Sequence, residues 1–140
     1  MYKRQHYQVP PQDVAQYWHL FNPLIQKAID KSGNTDFTLD GIFNRLITNV
    51  WQLFIILKDG ELSLIYVTQV ISFDSYNVLN VVFISSVDTK KIDMKYLQKS
   101  FEETAGIFNC RKIIGGGRKA WLKAGKKFGY KDVTYMEKEL

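Results

Sequence analysis

Residues 110 to 130 read Cys-Arg-Lys-Ile-Ile-Gly-Gly-Gly-Arg-Lys-Ala-Trp-Leu-Lys-Ala-Gly-Lys-Lys-Phe-Gly-Tyr. A short apolar run at Ile113 and Ile114 stops at three glycines, as a buried strand does where the chain must turn. A basic amphipathic helix begins at Arg118, with Ala120, Trp121, Ala124 and Phe128 on one face. That face is predicted to be core, and Trp121 to be buried. Gly129-Tyr130 ends the helix and opens an extended run, predicted as a strand from Val133 to Glu137.

Upstream the pattern changes twice. Pro10 and Pro11 open a helix whose apolar stripe includes Val14, Trp18, Phe21, Ile25 and Ala28. Pro23 interrupts the stripe and predicts a kink or a break near Asn22. Ser32-Gly33-Asn34 stops that helix, and Thr38 is the N-cap of a second, carrying Ile42, Phe43 and Leu46. After Asn49 the period shortens. Trp51–Leu57 and Leu62–Ile71 are strands around an Asp59-Gly60 hairpin turn, and Val78–Ile84 is a central strand. Asp93–Phe108 is helical again, and Gln5–Val9 is a possible first strand. The whole reads as one domain over residues 1–140. Its class is α+β, a mixed and mostly antiparallel central sheet with helices on both faces.

Composition narrows the function classes. A single cysteine, Cys110, excludes an internal disulfide and a cysteine-built zinc cluster, and no metal site is expected. The N-terminus lacks a signal peptide's apolar core and no apolar run reaches membrane-spanning length, so a soluble, intracellular protein is expected. Most of the net charge of +5 lies at the C-terminal end. Residues 109–140 hold nine Lys and Arg against three acids, and no acid stands between Arg111 and Lys131. Such a field suits nucleic acid, a nucleotide's phosphates or an acidic protein surface; it also suits a merely solvated helix face.

The order of elements resembles the GNAT superfamily of N-acetyltransferases over nearly the whole chain, and more narrowly the small GNAT-like proteins of tailed bacteriophages. The residues carrying the likeness are Trp51-Gln52-Leu53, the Cys110 strand, Gly117-Arg118-Lys119-Ala120-Trp121, Gly129-Tyr130 and the terminal Glu137-Lys138-Glu139-Leu140. The resemblance implies acetyl-CoA as acyl donor and an amine as acceptor. It also implies a V-shaped opening between Val78–Ile84 and Arg111–Gly115 for the pantetheine arm. Cofactor-binding candidates are then Ile84, Ser85, Ser86, Lys90, Lys91 and Arg118, the last where the family has a cofactor-contacting asparagine.

The departures are as informative. The stretch Ile84–Ile92, which would cradle the pyrophosphate, contains no glycine and includes Asp88. The family's acidic tyrosine, four residues before the Gly-aromatic pair, is Gly125. The central strand offers only Asn80 as a polar group, Glu61 and Asp74 fall in or near turns, and His6 and His19 lie outside the expected cleft. The catalytic residues are unknown on this reading. An acyltransferase is therefore weighed against a non-catalytic phage protein, a virion component at the portal, tail or interior, located in the infected cytoplasm or the particle. A third reading is a nucleic-acid binder or host-directed inhibitor. Partners would be phage structural proteins, or an acidic or nucleic-acid surface engaged by Lys119, Lys123, Lys126 and Lys127, with no membrane.

Overall fold

The computed structural model describes residues 3–32, 36–116, 119–133 and 136–140. Side chains at 89 and 119–121 lie outside that description, so the expected burial of Trp121 does too. The elements run β1 (Arg4–Val9), α1 (Pro11–Gln16), α2 (Trp18–Ser32), α3 (Leu39–Ile47), β2 (Gln52–Lys58), β3 (Glu61–Ser72), β4 (Asn77–Ser86), α4 (Met94–Ile107), β5 (Cys110–Gly115) and α5 (Lys119–Lys126). A single 3-10 turn at Thr89–Lys91 joins β4 to α4.

The five strands lie in sequence order, β1-β2-β3-β4-β5. The first three pairings are antiparallel and β4–β5 is parallel, because α4 carries the chain back before β5 begins. Alternation along the strands separates two cores. Leu53, Ile65, Val67 and Phe83 face α1–α3, where they meet Val14, Phe21, Ile25, Ile42 and Leu46. Phe54, Ile56, Leu64, Tyr66 and Val81 face α4, where they meet Leu97 and Phe101. Helices thus cover both faces of a mostly antiparallel sheet, and the fold is α+β and GNAT-like.

Local chemistry explains the joints. Thr38 Oγ1 accepts from the Gly41 N–H at 3.0 Å, a cap worth about 1 kcal/mol. Asp59 (φ 53°) and Gly60 (φ 82°) take the two left-handed positions of a tight hairpin turn. The first helical break is at Tyr17, not near Asn22, and Pro23 sits inside α2. Its missing N–H costs one bond in the second turn, while Phe21 and Ile25 on either side are buried and hold the helix together. The expected last strand is a second correction. Its described residues, Val133, Met136 and Glu137, are in no strand. Phe128 is a third: it is 36% exposed, so it does not join the core.

Candidate functional site

The centre of interest is a fork in the sheet. The β4–β5 ladder ends at the pair Val81–Gly115, whereas β4 continues through Val82 to Ser86, paired only on its β3 side among the described residues. Two local features produce the fork. Val67 lies opposite Phe83 and Thr68 opposite Val81, so Val82 is an extra residue, a bulge that bends β4 where β5 leaves it. Gly115 allows the last close approach, since a Cβ there would stand 3.3 Å from the Val81 carbonyl oxygen. Phe83 does not plug the opening. Its ring packs edge-on against Phe37 and Trp51 in the α1–α3 core.

Beyond the fork, β4 carries two buried hydroxyls. Ser85 is 6% exposed and Ser86 2%. Neither Oγ has a hydrogen-bond partner, and no other buried side-chain polar atom among the described residues is in that position. Ser85 lies opposite Ile65 and Ser86 opposite Leu64, so the hydroxyls stand on opposite faces of the strand at its open edge. Buried polar groups without partners are uncommon in folded proteins and mark places where a ligand or water completes the bonding. Lys27 of α2 fixes the end of the strand by donating to the Ser86 carbonyl at 2.8 Å.

The segment after β4 is built differently from an anion cradle. The Asp88 carboxylate accepts from the Lys90 N–H at 3.0 Å, and the Asp88 carbonyl from the Lys91 N–H at 3.1 Å. At the N-terminus of α4 the Asp93 carboxylate accepts from the Tyr96 N–H at 3.0 Å and pairs with Arg4 at 3.4 Å. Carboxylates of the chain itself thus occupy donors that a helix start would offer to phosphate. The residues present do not fit a backbone-held diphosphate. Lys90 and Lys91 are exposed beside them, so positive charge remains without the directed donors.

The structure brings Ile84, Ser85, Ser86, Lys90 and Lys91 onto one continuous segment at the open end of β4; Arg118 lies outside the described residues. Gly125 lies against the ring of Tyr130, whose hydroxyl donates to Gln98 Oε1 at 2.9 Å, tying the end of α5 to α4. Burial raises the Tyr130 pKa, so it stays protonated at neutral pH. Asn80 donates to Gln69 at 3.3 Å, and Glu61 and Asp74 are exposed. Lys123 and Lys127 are exposed, and Lys126 pairs with Asp132 at 3.3 Å. No group of three His, Cys, Asp or Glu among the described residues could hold a metal, and no described helix is long and apolar enough to cross a membrane.

A second polar group lies on the α4 face. His6 Nε2 meets the Tyr66 hydroxyl at 2.5 Å, and that hydroxyl meets Thr104 Oγ1 at 2.9 Å. On its other side His6 Nδ1 lies 3.6 Å from the Glu103 carboxylate. Burial lowers the His6 pKa, with Glu103 opposing the shift, and burial raises that of Tyr66. The sequence placed His6 outside the cleft, which it is, but gave no sign of Tyr66, 60 residues away.

No family model matches this sequence, and no curated protein matches it. Solved structures match it in fold. A predicted acetyltransferase from Clostridium acetobutylicum, determined with acetyl-CoA, aligns with TM-score 0.71 at 16% identity over 98% of this chain and 96% of its own. An aminoglycoside N-acetyltransferase in complex with CoA aligns with TM-score 0.69 at 13% identity over 100% and 97%. A ribosomal-protein-alanine N-acetyltransferase from Brucella melitensis biovar Abortus 2308 aligns with TM-score 0.70 at 12% identity, covering 99% of each chain. The shared property is the fold.

Proposed function

We propose that this protein is a GNAT-like N-acyltransferase, moving an acetyl group from a thioester such as acetyl-CoA to an amine. One observation carries the reading: the open β4 edge from Val82 to Ser86, lined by two buried hydroxyls without partners. Such an edge offers backbone N–H and C=O groups to an extended pantetheine arm, as a sheet edge does to a peptide strand. A free N–H beside the bulge would polarise the thioester carbonyl, and the fork would hold the acceptor amine in line with it.

The chemistry then asks little of acids and bases. The neutral amine nitrogen attacks the carbonyl carbon, a C–N bond forms and the C–S bond breaks. The proton lost by nitrogen passes through solvent to the departing thiolate, giving an amide and a free thiol. Asn80 cannot take that proton, and the Tyr130 hydroxyl is engaged by Gln98, so water is the carrier. Thermal melting with millimolar acetyl-CoA tests the reading. An upward shift that Gly115→Val abolishes is expected, because a branched side chain at the fork presses on Val81. No shift with either protein would remove it.

A second reading has its own observation. Asp88 and Asp93 fill the phosphate cradle and glycine stands at the tyrosine position, as in a GNAT-like fold kept for binding alone. The chain would then be a phage virion component, at the portal, tail or interior. Its presence in purified particles would support that role, and its confinement to the infected cytoplasm would oppose it.

A further inference from the structure

We infer that the acyl donor is recognised by its pantetheine-type arm and is presented by an acidic carrier protein, not by a nucleotide diphosphate. The inference rests on the acyl-transfer reading and names its substrate class. It follows from separating what recognises phosphate at short range from what attracts anions at long range. Short-range recognition needs free N–H groups in a fixed array, and here the Asp88 and Asp93 carboxylates bind two of them at 3.0 Å each. They also place negative charge where the diphosphate would lie.

Long-range attraction is intact. Lys90 and Lys91 stand exposed at the mouth. The Tyr130–Gln98 bond holds the end of α5 against α4, bringing Lys127 and Lys131, also exposed, to the same side of the sheet. A spread field without a cradle suits a broad acidic surface better than a compact diphosphate, because a protein partner adds many weak contacts and is steered from a distance. The slot itself asks for an arm. Val82 to Ser86 spans roughly 16 Å of extended strand, a length over which a flexible amide-bearing chain reaches from the rim to the fork. The Ser85 and Ser86 hydroxyls lie along that run, and neither makes a hydrogen bond that holds the fold.

The step balances as above, with the thiol left on the carrier's arm. The test compares three probes against the full chain by calorimetry: acetyl-CoA, S-acetylpantetheine, and a small acidic carrier protein bearing an acetylated 4′-phosphopantetheine arm. Acetyl-CoA and S-acetylpantetheine should bind within about threefold of each other, and the carrier at least about tenfold more tightly at low salt. Moderate salt, or the double variant Lys90→Glu with Lys91→Glu, should remove the carrier's advantage while leaving S-acetylpantetheine unchanged. Acetyl-CoA binding about tenfold more tightly than S-acetylpantetheine would overturn the inference and leave the acyl-transfer reading standing. So would a carrier no tighter than S-acetylpantetheine, or a single-stranded oligonucleotide that displaces it. Failure of all three probes would sink both.

Discussion

Two buried polar regions sit on the same sheet and are treated in opposite ways. On the α4 face the Tyr66 hydroxyl, fully buried, lies within hydrogen-bond reach of both His6 and Thr104. Thr104 Oγ1 donates to the Ser100 carbonyl at 2.9 Å and so meets the Tyr66 hydroxyl as its acceptor, while His6 closes the other side with Nδ1 3.6 Å from Glu103. At the open end of β4 the Ser85 and Ser86 hydroxyls are buried nearly as deeply and have no partner at all. A polar group that serves the fold is satisfied by the fold, whereas on the acyl-transfer reading the other pair is left over for a ligand.

The comparison breaks first at Tyr66. Tyr66→Phe removes the central hydroxyl and leaves the buried His6 Nε2 without its partner, so chemical denaturation should show a loss of about 1–3 kcal/mol. A variant as stable as the parent would mean that contact is ornamental. Asp88→Gly sharpens the other side. Freeing the Lys90 N–H and removing a charge should raise acetyl-CoA affinity by about fivefold, or about 1 kcal/mol, in calorimetry.

Acidification gives a third, graded effect. Because the folded state holds the His6 pKa below 6.5, the unfolded chain takes up the proton first. Stability from this group is complete above 6.5 and declines as pH falls through the window beneath it. Glu103→Gln removes the charge that opposes the shift, so the decline in melting temperature below 6.5 should run further; an unchanged pH profile would rule out the coupling. The smallest effect is at the slot. Ser85→Ala and Ser86→Ala should each change stability by no more than about 0.5 kcal/mol, while weakening S-acetylpantetheine binding severalfold.

What the sequence made legible follows from range. Thr38, Asp59-Gly60 and the stripes of α2 and α4 act through neighbours within a few residues, and each lies where its local chemistry puts it. Of the kink or break expected at Pro23 the break is absent, because a proline ends a helix only where tertiary packing does not hold the helix across it. The strand expected from Val133 reflected β-propensity, which needs a partner that the described residues do not supply. In the site, the loss of glycine from Ile84–Ile92 was visible in the sequence. That Asp88 and Asp93 cap the adjoining N–H groups was not, although both stand two or three residues before the donors they take, the ordinary spacing of a cap. The Lys27–Ser86 and His6–Tyr66 contacts join residues about sixty apart and leave no mark in any local pattern.

Cys110 makes the fork observable from outside. It is the chain's one thiol, half-buried at the start of β5, where it lies opposite Asn77 of β4. Burial raises its pKa, so at neutral pH little thiolate is present and alkylation is slow. A guest wedged between β4 and β5 at the Val81–Gly115 end would be expected to change how often the other end of that ladder, at Cys110, opens. The labelling rate at a single natural position would then read out entry into the slot, with no engineered probe.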